Sequence, residues 1–328
     1  MTKLLRPALN NSCKSCLWAI VLVAICLTGC QKNCYELEPT ICFSPPKRLV
    51  ACLPTSFPPL TPQEKSEEWS KELIIGNHFA RDLDLYRAIT AYKRANVLLP
   101  CENVERRLQI DYCIILAYYI GGKYQEAVEA FECSELVSAG PCFPAFGDLL
   151  ILLYDAYSQD CRHERAEVIL ELINKYSPET KSDLVLYHSV IDGDISCARF
   201  HASEHPRAEE MLPYFDEYCC CAKSVKKAQT LNAVLPGAGY LYVGQKQTAL
   251  TSFLLNTLFT AAAVCFFDNG NIPMGIILTS LEAGWYFGGI NGAGLAAKEY
   301  NERLFENHGR EMLQGSKLFP VLMFEHAF

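Results

Sequence analysis

The stretch GNHFARDLDLYRAITAYKRANVLLP, residues 76–100, sets small residues at Gly76, Ala88 and Ala95, aromatics at Phe79 and Tyr92, and a closing Pro100. From Glu67 onward the apolar residues keep this helical spacing, which predicts amphipathic helices rather than strands. Two further copies occur downstream. One has Tyr118, Ala127, Phe131 and Ser134 around GKYQEA (residues 122–127), and the other has Tyr157, Ala166, Leu170, Ile173 and Pro178. The equivalent alanines 88, 127 and 166 lie 39 residues apart in both gaps. A period of this length marks units that cannot bury their own apolar face and must stack on the next copy, so the middle of the chain is expected to be all-α.

The order small, aromatic, small, aromatic, small, proline resembles the tetratricopeptide repeat. That resemblance implies a solenoid of antiparallel helix pairs: small residues let the helices approach, aromatics fill the space between them, and proline stops the second helix. It also implies that the inner face grips an extended segment or helix of a protein partner, with Asn77, Arg81 and Tyr119 on first helices as candidate contacts. The alternative for these three is a solvated surface, and the alternative for the fold is an ordinary helical bundle without a groove. The chain departs from the family in three ways. Its period exceeds the usual length of about 34, Glu72 stands where the family has Trp, and Ile115 replaces a small residue. Gly140, Pro141 and Pro144 mark one enlarged connection. A fourth helix pair at about residues 183–218, with Ala208 and Phe215, matches poorly and is expected to cap the stack.

At the N-terminus, Lys3, Arg6 and Lys14 precede an apolar run from Leu17 to Leu27, the charge and length of a signal-peptide core. The ending Leu27-Thr28-Gly29-Cys30 resembles the bacterial lipobox. The resemblance implies cleavage after residue 29 and an acylated Cys30, palmitate included, that ties the chain to a membrane of the cell envelope. An uncleaved signal-anchor helix is the alternative, and both readings export the residues C-terminal to it. Residues 30–66 are rich in Pro, Thr and Ser and are expected to form a tether. Thirteen cysteines lie beyond Cys30, a number that suits disulfides in an oxidising compartment, although those on helical patterns also suit a small apolar core position.

Repeats are expected over residues 67–222, a hydrophobic domain over 223–300 and a tail over 301–328. The hydrophobic domain opens on Pro236, Gly237, Gly239, Tyr242 and Gly244, which resemble the Pro-Gly-x-Gly-x-x-Tyr-x-Gly signature of small bacterial membrane domains of unknown function. Two apolar stretches come next, 248–267 and 272–297, each about as long as the 20 residues that cross hydrocarbon, and together they predict a helical hairpin. Glu282 is the one ionisable residue inside the second stretch, expected to face a partner helix or water. If both stretches cross, Lys223, Lys226, Lys227, Lys298, Arg303 and Arg310 all fall on the exported side, against the positive-inside rule. A re-entrant segment at 231–244, or a soluble hairpin buried on the repeats, would remove that conflict.

A net charge of −8 argues against a nucleic-acid partner, which would call for clustered Lys and Arg. There is no Gly-x-Ser-x-Gly elbow, phosphate-binding loop or His-Glu-x-x-His helix, so the expectation is no enzyme and no cofactor. Cys197, His201 and His205 fall four apart and are the weak candidates for a metal site. Cys13 and Cys16 form a Cys-x-x-Cys pair inside the expected signal peptide. The sequence therefore reads as an exported, lipid-anchored scaffold for protein–protein interaction, with a protein or peptide of the envelope as its partner. The alternative is a membrane hairpin working in transport or protein assembly, with the repeats as its regulatory arm.

Overall fold

A computed structural model describes residues 37–43, 45, 49 and 52–328. Cys30, Cys34, the expected signal peptide and the Cys13–Cys16 pair lie outside the described residues. Among the described residues the chain is helical, with a single isolated bridge between Thr55 and Ala327.

The repeats form four helix pairs: α1 (Glu68–Arg81) with α2 (Leu85–Leu98), α3 (Val104–Ile120) with α4 (Tyr124–Glu132), α5 (Phe146–Gln159) with α6 (His163–Tyr176), and α7 (Pro178–Ile191) with α8 (Ile195–Glu204). Each pair turns on one residue in the left-handed region, at Leu83, Gly122, Cys161 and Gly193, with φ of 59°, 68°, 58° and 75°. In the first three turns the next N–H reaches back five residues: Asp84 to Phe79, Lys123 to Tyr118 and Arg162 to Tyr157, all at 2.9 Å. This bond satisfies a carbonyl at the end of the first helix and reverses the chain. Asp84 and Asp194 then cap the second helices of their pairs by accepting from the N–H groups of Arg87 and Cys197.

The repeating residues pack as their sizes require. Ala88, Tyr92, Ala95, Ala127, Ala166, Leu170 and Ile173 are buried. At Gly76 a Cβ would lie 2.5 Å from the Tyr92 ring, so only glycine lets α1 and α2 meet there. Each pair packs on the next, α2 on α3, α4 on α5 and α6 on α7. Helices α3 and α5 therefore have neighbours on several sides, and α5 is buried at every residue from Asp148 to Tyr157. Beyond α8, helix α9 (Ala208–Cys221) continues the array and packs on α13 (Ile272–Gly315), a single helix of 44 residues.

Between them lie α10 (Val225–Val234), the six-residue α11 (Ala238–Val243) and α12 (Lys246–Asp268). The glycine signature builds this junction. Gly237 is left-handed (φ 92°) and donates its N–H to buried Asn232 at 2.9 Å. Gly239 is pressed against Ala228, Asn232 and Ala293, and Gly244 is left-handed where α11 ends. Pro236 precedes the turn. The Tyr242 hydroxyl accepts from the N–H of Ser224, and its ring lies beneath the Lys223 and Lys227 ammonium groups at 5.4 and 5.0 Å.

Helix α12 is long and apolar enough to cross a membrane, and only 17% of its most apolar window is buried. Leu250, Phe253, Leu254, Leu258 and Val264 are exposed along it, as are Ile272, Ile276, Ile277, Leu281 and Trp285 on α13. The hairpin is thus not buried on the repeats, and residues 231–244 form parts of two short helices rather than a span. In Glu282 one carboxylate oxygen is buried and makes no hydrogen bond.

Three expectations are corrected. The tether's described part is not free, since Ile41 and Phe57 sit in the repeat core. The tail does not begin at 301, because α13 runs on to Gly315, and residues beyond it return to the core. No disulfide joins the described cysteines; their thiols are free, and among them Cys113 alone is fully buried as a core residue.

Candidate functional site: the inner face of the repeats

The last thirteen residues lie across the first helices of all four pairs. The segment leaves α13 through Lys317 in the left-handed region (φ 57°), with the Ser316 carbonyl held by Arg207 at 2.8 Å. Phe319 meets Tyr187 of α7 at 5.9 Å, and Phe324 meets Tyr119 of α3 at 5.8 Å. The short helix α14 (Pro320–Met323) packs on α5. Asp148 of α5 accepts from the backbone N–H groups of Glu325 and His326 at 2.9 and 3.1 Å, and its oxygen lies 3.0 Å from the His326 ring. Phe328 stacks on Tyr92 at 6.2 Å, and its carbonyl accepts from Arg81 at 2.9 Å. Aromatic side chains thus fill spaces between helices while charged side chains hold the main chain.

The incoming residues before α1 dock beside this segment. The Ala327 N–H donates to the Pro54 carbonyl at 2.9 Å, Phe57 packs on Tyr112 and Phe143, and Phe43 stacks on Phe319 at 4.7 Å. Arg106, 6% exposed, reaches the carbonyls of Pro58 and Pro59, the Gln109 amide oxygen and both oxygens of Glu64. The bidentate guanidinium holds the Glu64 carboxyl down at about 2.

The three candidate contact residues all make contacts within the chain, Arg81 while remaining exposed, Asn77 half-buried and Tyr119 buried. Arg81 binds Phe328. Asn77 acts from behind, accepting from the Tyr92 hydroxyl at 2.8 Å and so fixing the ring beneath Phe328. The Tyr119 ring supports Phe324, and its hydroxyl donates to Asp155 at 2.6 Å. Asp148, Tyr187 and Arg207 escape a reading by repeat position. A signal for one of them exists: Asp148 and Asp155 lie seven apart in an otherwise apolar helix, which puts both carboxylates on one face.

The candidate metal trio is not assembled. Helix α8 ends at Glu204, and His205 adopts extended backbone before Pro206. The His205 ring turns to Asp183 at 2.8 Å and accepts from the Arg207 N–H. Cys197 lies instead beside Ser189 at 3.7 Å. No group of three His, Cys, Asp or Glu side chains placed to hold a metal ion occurs among the described residues.

Asp155, 2% exposed, and His188 lie 3.5 Å apart, too long for a hydrogen bond. Burial pushes the Asp155 carboxyl up to about 6 and the His188 ring down to about 4. The signs oppose. Folded Asp155 keeps a proton that the unfolded chain releases near 4, so its contribution to stability falls as pH rises from about 4 to 6. Folded His188 refuses a proton that the unfolded chain takes up near 6.5, so its contribution falls as pH drops from about 6.5 to 4. The two largely cancel in the native protein. Asp155→Asn should therefore make stability rise with pH across this window, and His188→Gln should make it fall, each by on the order of 2 kcal/mol. Urea titrations at pH 4.5, 5.5 and 6.5 check this, and parallel curves for both variants and the native protein would refute it.

Comparison of the chain with family models, with curated proteins and with solved structures found no match.

Proposed function

We propose that the chain is a membrane-held scaffold of tetratricopeptide-like repeats in a bacterial cell envelope, acylated at Cys30, with the inner face of the repeats as its protein-binding site. The observation that carries this reading is the segment of residues 316–328 on that face, one short helical turn with irregular flanks, bound through aromatic side chains and main-chain hydrogen bonds. A partner peptide of similar character would take the same place, so binding requires the chain's own segment to leave. The apolar surface of α12 and the facing part of α13 supports insertion of the hairpin in the bilayer, with the repeats at its surface.

The test uses the full chain in detergent and a labelled peptide with the sequence of residues 316–328. Binding to a Phe324→Ala/Phe328→Ala variant, whose own segment is loosened, should be at least about tenfold tighter than to the native chain, because the intramolecular competitor is weakened. Absence of binding to both proteins removes the peptide-groove reading. Labelling of the native chain but not Cys30→Ala with a palmitate analogue tests the anchor separately.

A further inference from the structure

Beside the docked segment lies a cavity of about 600 Å3, bordered by Ile41, Tyr119, Tyr124, Asp155, Tyr187 and Phe319. This volume is in the range of small-molecule sites, about 300–1,000 Å3. Its walls are mainly aromatic and aliphatic, with one carboxylate among them. No Lys or Arg is among its lining residues. One Asp155 oxygen takes the Tyr119 hydroxyl at 2.6 Å, and the other has the Gln159 amide at 3.4 Å and the His188 ring 3.5 Å away. His188 does not supply the missing charge, because its ring is neutral at physiological pH.

A carboxylate so deeply buried without a cation costs free energy that the Tyr119 and Gln159 hydrogen bonds return only in part. The rings around it are suited to what would. Tyr119 and Tyr124 meet edge to face at 5.7 Å, Tyr187 stands on the neighbouring first helix, and the stacked Phe43 and Phe319 close one side. Aromatic faces attract cations that carry alkyl groups, and a desolvated carboxylate fixes where the charge sits. An anion would be repelled by Asp155, and a neutral apolar ligand would leave the carboxylate as unpaired as before.

We propose that this cavity binds a small organic ammonium ion, its charge against Asp155 and its alkyl groups against the tyrosine rings. The site shares Tyr119 and Phe319 with the face of the docked segment, but its argument does not rest on the peptide-binding reading. It needs the native, docked state of residues 37–43 and 316–328 rather than a displaced one.

The test is calorimetric titration of the full chain in detergent, at pH 7.5, with choline and with butylammonium, each beside its uncharged carbon isostere. At least one cation should bind, and its isostere should bind at least about tenfold more weakly. Asp155→Asn, which keeps the acceptor for Tyr119, should lower the affinity for the cation at least about tenfold. Should that variant lose its helical circular dichroism, Tyr124→Leu at the half-buried rim carries the test, with weakened binding expected. Failure of both cations to bind, equal affinity for cation and isostere, or unchanged affinity in a folded Asp155→Asn or Tyr124→Leu protein overturns the proposal. No peptide enters this titration, so a negative result here leaves the scaffold reading standing.

Discussion

Replacing Arg106 with Ala is expected to lower the unfolding free energy by about 3 kcal/mol, at the low end for breaking a buried ion pair. The loss has three parts. The carbonyls of Pro58 and Pro59 lose their donor, the Gln109 oxygen loses its own, and Glu64 loses the cation that held its carboxyl at about 2. Glu64 keeps a side-chain exposure of 20% and can take up water, which keeps the loss from reaching the top of the range. Arg106→Lys should recover less than half, because a single ammonium cannot serve a carboxylate bidentately and two carbonyls besides. Urea denaturation of the three proteins decides it, and an Arg106→Ala midpoint equal to the native one would mean that residues 52–62 are not held by this side chain. Glu64→Gln provides a milder comparison.

The second large effect concerns the docked C-terminal segment. Phe324 and Phe328 are 6% and 1% exposed, and truncating a buried Phe to Ala costs about 3–5 kcal/mol when the site cannot collapse. Here a cheaper route exists, since the segment can leave while the helix pairs stay packed on one another. The double variant should therefore show local opening rather than general collapse. Amide exchange at Glu325, His326 and Ala327, whose N–H groups are bonded to Asp148 and Pro54, should accelerate by about a hundredfold or more, while amides within α5 stay protected. Unchanged protection at those three amides would show that the polar contacts suffice and the aromatic ones are passengers. Acceleration throughout α5 would show instead that the segment is part of one cooperative core.

Much of the helical array was legible because its signals are local. A small residue that must meet an aromatic, as Gly76 meets Tyr92, leaves a mark in the sequence, and the alanines at 88, 127 and 166 set the period. The pair turns were half legible. Gly122 and Gly193 advertise a left-handed turn, whereas Leu83 and Cys161 occupy the same conformation despite a Cβ, where the surrounding bonds impose it. The hydrophobic hairpin was visible from composition, and its glycine signature gained a concrete meaning as the crossing of α10, α11, α12 and α13.

The site was less legible. Arg81, Asn77 and Tyr119 could be placed on first helices by repeat position, but nothing near them says what covers them. The cover comes from more than two hundred residues away in the case of Arg81, and an apolar ending such as LFPVLMF carries no address. The Cys197, His201 and His205 trio failed for the opposite reason. Its spacing assumes one continuous helix, and a proline at 206 pulls the third member onto extended backbone.

Helix α13 begins in the exposed apolar hairpin and ends where the docked segment starts, without a break over 44 residues. At 1.5 Å per residue that is a rod of about 66 Å. Such a rod is a lever: a tilt of about 10° at one end swings the other by about 11 Å. If the hairpin sits in a bilayer as proposed, a change in its lean would therefore be carried along α13 to the root of the segment that covers the repeats.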